Sequence, residues 1–243
     1  MNKYYGIYVS LIAGLSTMLG YFSIYIKGDK DNIISKSLSF AGGVMITLSL
    51  IDLIPTSIKN FNMNSGIVNS IIYVILFFLI GYFLCNFISN KINNSDELYN
   101  AGMISMIGII LHNIPEGIAT YILSTIDLKL GILLSIAIIF HNIPEGVSIS
   151  IPIYYSTNNK KKAFLYTFIS SISEPFGALI SMIFLYKYIN NEIIGILFSI
   201  ISGLMFYIGY NKMIIISREY SNKLIYSLYG SIFILIIEII LKI

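Results

Sequence analysis

The chain has 243 residues, of which 56% are hydrophobic and 11% are charged, and its mean hydropathy is +0.82. This composition excludes an ordinary soluble domain and predicts one integral-membrane domain over residues 1–243. The net charge of +3 is spread over the connections, which argues against a nucleic-acid partner, and the single cysteine excludes an internal disulfide or a thiolate metal cluster.

Eight apolar stretches are long enough to cross a bilayer as helices, since one span needs about 20 residues. We predict transmembrane helices over residues 4–26, 33–57, 66–89, 99–125, 130–155, 163–187, 193–216 and 222–241. The first stretch is longer than a signal-peptide core and lacks a small-residue cleavage site, so we expect it to be retained. The predicted fold class is all-α, a polytopic membrane protein.

The basic residues are distributed unevenly between the two ends of these spans. The odd-numbered connections hold ten of the fifteen, namely Lys27, Lys30, Lys36, Lys91, Lys160, Lys161, Lys162, Lys212, Arg218 and Lys223. The even-numbered connections and the termini hold Lys3, Lys59, Lys129, Lys187 and Lys242. The positive-inside tendency therefore predicts a cell-membrane protein with cytoplasmic odd connections and both termini outside.

The second span contains small residues that permit close helix packing, followed by Met45, whose thioether is a soft metal ligand. From the residue alone, a core or lipid-facing methionine is the commoner role. Asp52, near the outward end of this span, and Glu238, near the outward end of the last, have two open interpretations. Each either attracts cations to an entrance or is an interfacial carboxylate that reaches water.

The most specific feature of the sequence is the hexapeptide His-Asn-Ile-Pro-Glu-Gly, which occurs at residues 112–117 and again at 141–146. We call these the first and second hexapeptides. They lie in the middle of the fourth and fifth spans and contain the only two histidines of the chain. Because an ionisable group costs several kcal/mol inside a bilayer, two identical sets at this depth indicate a functional site.

Helical geometry places the polar side chains of each hexapeptide on one face. At about 100° per residue, the glutamate lies about 40° from the histidine and between it and the asparagine. Two such helices packed face to face would bring six nitrogen and oxygen ligands to one point, and each carboxylate could bridge two cations or hold one with its neighbours. Pro115 and Pro144 also leave the carbonyls of Leu111 and Phe140 without their helical hydrogen bonds, so each helix can kink there.

The sixth span repeats this theme with Glu174, which precedes Pro175 and follows Ser170, Ser171 and Ser173. A carboxylate at this depth without a basic partner must be protonated, hydrogen-bonded to polar neighbours, or bound to a cation. Glu174 is therefore either a third arm of the same site or a protonated carboxyl bonded to serine hydroxyls.

The paired hexapeptides on consecutive spans, the Ser-Glu-Pro of residues 173–175 on the next span, and eight spans with both ends outside resemble the ZIP (zinc and iron permease) family of divalent-metal transporters. The resemblance covers essentially the whole chain. It implies a 3+2+3 arrangement of helices, with the outer triplets related as an inverted repeat, and transport by alternating access.

The resemblance also implies a binuclear metal centre. On the matching positions, His112 and His141, with Met45, would hold one metal. Asn113, Asn142 and Glu174 would hold the second, and Glu116 and Glu145 would bridge the pair. Many family members carry a histidine-rich loop between the third and fourth spans, whereas residues 89–99 are short and contain no histidine, so regulation by that loop is not expected here. Asn142 is neutral where some relatives are acidic, which makes the second position less secure.

We therefore predict a transporter and not an enzyme, importing Zn²⁺, Fe²⁺, Mn²⁺ or another divalent metal as substrate, with no catalytic cofactor. Its expected partners are metal ions and the lipid bilayer, and a homodimer is a candidate assembly. One alternative is an intramembrane metalloprotease, although the zincin pattern His-Glu-X-X-His is missing. The other is a proton or monovalent-cation channel, for which imidazole is a poor ligand.

Overall fold

The computed structural model describes residues 4–92, 95–185 and 190–241, so the predicted loop residues Lys3, Lys187 and Lys242 lie outside it. Within these ranges the chain is helical and contains no strand. There are eight helices: α1 Tyr5–Tyr25, α2 Lys30–Ser65, α3 Ile67–Lys91, α4 Glu97–Ile126, α5 Leu128–Thr157, α6 Lys160–Phe184, α7 Asn191–Tyr220 and α8 Ile225–Leu241.

The prediction of an all-α polytopic membrane protein is confirmed at the level of helix type, length and hydropathy. Helices α1 to α7 are each long and apolar enough to cross a membrane, and α8 is a shorter apolar helix of 17 residues. In water these apolar surfaces would be unstable, whereas in lipid a helix satisfies its own backbone groups and leaves its apolar side chains in contact with acyl chains.

Several helices extend beyond the predicted apolar spans. The predicted second span ended at residue 57, but α2 continues to Ser65, because Pro55 lies in the first turn of a segment that follows a π-helical turn at Ser49–Leu53. Pro55 therefore does not end the helix, since a proline is tolerated where the backbone N–H has no helical partner. The predicted seventh span, 193–216, is contained in a longer α7 that includes a second π-helical segment, Ile208–Ile214.

Helices α4 and α5 form a tight antiparallel pair that sets the depth of the two hexapeptides. Asp127 ends α4 and caps α5, where its carboxylate accepts a hydrogen bond of 2.8 Å from the backbone N–H of Lys129. His112 lies 15 residues before Asp127 and His141 lies 14 residues after it. At about 1.5 Å per residue, both hexapeptides are therefore at the same level along the pair.

The eight helices pack as two groups of four. Helices α1, α4, α5 and α6 contact mainly one another, and so do α2, α3, α7 and α8. Contacts between the groups run mainly from α2 to α5 and from α4 to α7. Both hexapeptides and Glu174 belong to the first group, whereas Met45 and Asp52 belong to the second.

Candidate metal centre

The two histidines lie side by side in the buried centre of the first helix group. His112 has no solvent-exposed surface and His141 is 4% exposed, and their ring centroids are 6.1 Å apart. The histidine-bearing faces of the two hexapeptides therefore lie against each other.

Each hexapeptide glutamate reaches the histidine of the other helix. The Oε1 atom of Glu116 lies 3.1 Å from Nε2 of His141, and Oε1 of Glu145 lies 3.3 Å from Nε2 of His112. Glu116 also lies 3.2 Å from Nε2 of His112 on its own helix, so its carboxylate sits between both imidazoles.

These distances suit a small divalent cation. Nitrogen and oxygen ligands about 2.1 Å from a tetrahedral Zn²⁺ are about 3.4 Å from one another. One ligand atom from each of His112, Glu116 and His141 lies within 4.8 Å of the other two. A modest contraction would allow all three to hold one ion, with an oxygen of Glu145 available as a further ligand.

The asparagines and Glu174 form an adjoining polar group. The side-chain amide of Asn142 donates to Oε2 of Glu174 at 3.1 Å and to the carbonyl of Ala13 on α1 at 3.0 Å. The amide of Asn113 donates to the carbonyl of Ser170 on α6 at 3.3 Å. These hydrogen bonds orient both amide groups. In each asparagine the side-chain oxygen therefore points away from the backbone carbonyl that accepts the bond.

Many nitrogen and oxygen atoms of this centre that could bind a metal have no hydrogen-bond partner within the protein. They are Nδ1 of His112, Oε2 of Glu145, Oε2 of Glu116, Oε1 of Glu174, and the side-chain oxygens of Asn113 and Asn142. Nε2 of His112 and Oε1 of Glu145 are 3.3 Å apart but do not have the geometry of a hydrogen bond. Buried polar atoms are normally satisfied, and leaving one unpaired costs about 1–3 kcal/mol. So many unpaired oxygen and nitrogen atoms in one place fit a cation as their missing partner.

The last residue of each hexapeptide is a glycine because a backbone from another helix passes directly over it. A Cβ atom on Gly117 would collide with the carbonyl of Glu174 on α6, and one on Gly146 would collide with the carbonyl of Thr17 on α1. These contacts bring α6 and α1 against the metal centre. This role of α1 was not predicted from the sequence, although the repeated glycine and the small residues along α1 are signals of close helix packing.

Three further residues that the sequence singled out, Met45, Asp52 and Glu238, belong to helices of the second group, α2 and α8. Met45 is fully buried on α2, where its Cβ faces Gly209 of α7. Asp52 accepts a hydrogen bond of 3.3 Å from the Thr56 hydroxyl and lies close enough to His141 for a Coulombic interaction. Glu238 on α8 interacts electrostatically with both Asp52 and His141.

Known proteins of one family are similar to this chain over most of its length. The family model described as ZIP Zinc transporter matches residues 89–238, which include both hexapeptides and Glu174. The protein named Zinc transporter ZupT from Streptococcus mutans is 34% identical, with 92% of this chain and 91% of the relative aligned. Proteins of the same name from Clostridium perfringens and Campylobacter jejuni are each 32% identical, over 96% and 92% of this chain and 94% and 90% of their own lengths.

Proposed function

Since this chain belongs to the ZIP zinc transporter family, we propose that it imports divalent transition-metal cations across the cell membrane through the centre on α4, α5 and α6. Members of this family are transporters, so the chain is not an enzyme. The relatives named as zinc transporters support Zn²⁺ as a substrate. Fe²⁺ and Mn²⁺ are further candidates, because imidazole, carboxylate and amide ligands also suit these ions.

The observation that carries this proposal is the cross-pairing of the two hexapeptides. Each glutamate lies within 3.3 Å of the histidine of the other helix, in a buried site. Without a cation, this arrangement buries carboxylates together with unpaired imidazole and amide atoms, which is energetically unfavourable. With a divalent cation, the same atoms would replace the water that the ion loses on entering the protein.

We infer two adjacent metal positions in this centre. His112 and His141, with Met45, would hold the first ion, and Asn113, Asn142 and Glu174 the second. Glu116 and Glu145 would bridge the two ions. The position of Glu116 between both imidazoles and the contact of Glu174 with Asn142 support this division.

The membrane potential would supply the driving force. An inside-negative potential of about 100 mV favours entry of a dication by about 4.6 kcal/mol, which is more than a thousandfold in concentration. In the orientation that the basic residues favour, the odd-numbered connections would be cytoplasmic and both termini outside. The chain would act as one domain with a 3+2+3 arrangement of helices, and the pairing of α4 with α5 is consistent with a central pair.

Uptake into proteoliposomes with a trapped metal indicator tests the proposal. Wild-type protein should accumulate Zn²⁺ when an inside-negative potential is imposed, and Fe²⁺ or Mn²⁺ should compete if they share the path. Glu145→Ala should abolish uptake, whereas Glu219→Ala, outside the metal centre, should leave it unchanged. Normal uptake by the Glu145 variant would contradict the proposed site, and currents that persist in metal-free solution would favour a channel for protons or monovalent cations.

A further inference from the structure

Six lysines lie at one end of the helix bundle, away from the candidate metal centre. Three come from the α1–α2 connection and the first two turns of α2, and three from the first turn of α6 after the α5–α6 connection. One of them, Lys36, also lies 5.4 Å from the ring centroid of Tyr226 at the start of α8. We define the lysine cluster as Lys27, Lys30, Lys36, Lys160, Lys161 and Lys162.

Contacts between lysines and tyrosines show that the two connections are neighbours. The ammonium of Lys160, at the start of α6, lies 4.5 Å from the ring centroid of Tyr25 at the end of α1. In the opposite direction, the ammonium of Lys30, at the start of α2, lies 5.9 Å from the ring of Tyr155 at the end of α5. Each connection therefore places a lysine on an aromatic ring of the other, in the geometry of a cation–π contact.

A second set of aromatic residues extends the cluster towards α4. The ammonium of Lys162 lies 4.5 Å from the ring of Tyr99 and 5.7 Å from the ring of Tyr166. The hydroxyls of these two tyrosines are 3.2 Å apart. Lysine ammonium and tyrosine hydroxyl groups thus lie close together at this end of the bundle. Both kinds of group can donate hydrogen bonds to phosphate oxygens.

The positive charge of the cluster is only partly balanced. The α1–α2 connection contributes two aspartates, and the first turn of α6 contains no acidic residue. One aspartate, Asp29, is the cap of α2 and accepts a hydrogen bond of 3.0 Å from the backbone N–H of Asn32. Asp96 and Glu97, at the start of α4 just before Tyr99, add two more carboxylates, so six lysines face four acidic residues and an excess of two positive charges remains.

A cavity opens between Lys27 and Lys36 within the cluster. Its volume is about 280 Å³, and it is lined only by residues 26–37, among them Asp29 and Asn32 as well as the two lysines. The cavity is at the ends of the spanning helices α1 and α2, which is the level of the lipid headgroups and not of the acyl chains. An anion bound there would be in contact with Lys27 and Lys36.

We propose that the lysine cluster binds the headgroup of an anionic phospholipid such as phosphatidylglycerol. Charge complementarity and position both favour this occupant. Anionic lipids attract basic residues near the bilayer surface, and tyrosines are typical of the same interface. The metal path does not use these residues, so the lipid site is separate from the proposed transport function.

Tyrosine fluorescence can measure this binding because the chain has 19 tyrosines and no tryptophan. Purified full-length protein in detergent is titrated with phosphatidylglycerol carrying brominated acyl chains, which quench nearby tyrosines, and separately with phosphatidylcholine brominated in the same way. We expect half-maximal quenching by phosphatidylglycerol at a concentration at least about tenfold lower, since each basic residue near a membrane surface contributes about 1 kcal/mol, or about fivefold.

Charge-matched triple variants locate the site. The variant Lys160→Gln/Lys161→Gln/Lys162→Gln should lose the preference for phosphatidylglycerol, and the same positions changed to arginine should retain it. The control variant Lys91→Gln/Lys212→Gln/Lys223→Gln removes three basic residues outside the cluster and should also retain the preference. Circular dichroism and gel filtration check that each variant is folded.

Three results would overturn the proposal. Wild-type protein with no preference between the two lipids would exclude a headgroup site. An equal loss in the control variant would assign the preference to overall charge and not to the cluster. Displacement of phosphatidylglycerol by millimolar inorganic phosphate, at constant ionic strength, would show that the cluster takes free phosphate in place of a lipid.

Discussion

The substitution Glu116→Gln tests the central feature of the proposed metal centre. Oε1 of Glu116 lies 3.2 Å from Nε2 of His112 and 3.1 Å from Nε2 of His141, so this carboxylate is shared by both hexapeptides. Glutamine keeps the length and shape of the side chain and removes its negative charge. The effect on binding should therefore report the role of the charge.

The expected loss is large because the site is buried. Removing one partner of a buried charge pair costs about 3–5 kcal/mol. At about 1.4 kcal/mol per factor of ten, Glu116→Gln should weaken Zn²⁺ binding by about two to three and a half orders of magnitude. Glu174→Gln should be milder, since the hydrogen-bond partner of Glu174 is Asn142 and not an imidazole. It should remove the second ion and change the affinity for the first by less than about tenfold.

Equilibrium dialysis of purified protein against Zn²⁺ measures both the affinity and the number of bound ions. Glu97→Gln is the matched control, because it makes the same change in the exposed first turn of α4. Zn²⁺ affinity of Glu116→Gln within about threefold of wild type would refute the shared-carboxylate argument. Loss of both ions in Glu174→Gln would refute the assignment of two separate positions.

Three further results are expected. Gly146→Ala should lower the free energy of unfolding by about 1–3 kcal/mol in thermal unfolding in detergent, because its Cβ would strike the carbonyl of Thr17. Gly108→Ala should cost less, since its Cβ would come closest to Cδ1 of Ile208, the far end of a flexible side chain, and equal costs would contradict this explanation. Asn142→Ala should reduce the number of bound Zn²⁺ ions and leave Glu174 without its amide donor, as isothermal titration would show; an unchanged number would place Asn142 outside the site. Lowering the pH from about 7.5 to 5.5 should weaken Zn²⁺ binding reversibly, because imidazole binds a metal only when neutral, and pH-independent dialysis results would exclude the histidines as ligands.

The sequence by itself determined the helical class and which polar residues form the candidate centre. Apolar stretches long enough to span a bilayer must become helices, because lipid offers no partner for backbone groups. The period of the helix then places His112 and Glu116 on one face, and their contact at 3.2 Å follows from that local rule. The same period places His141 and Glu145 on one face of α5, although their contacts of 3.1 and 3.3 Å are with Glu116 and His112 of α4.

Only the tertiary structure decided which helices complete the site. The contact of Glu145 with His112, and the bond from Asn142 to the Ala13 carbonyl on α1, join residues 33 and 129 positions apart in the chain. Helical periodicity gives the direction of a side chain around its own axis but not the identity of the neighbouring helix. That identity depends on close backbone contacts such as the one at Gly146, and on the combined packing of all eight helices, which no local pattern specifies. For the same reason, the meeting of the α1–α2 and α5–α6 lysines was not visible until their helices were placed in space.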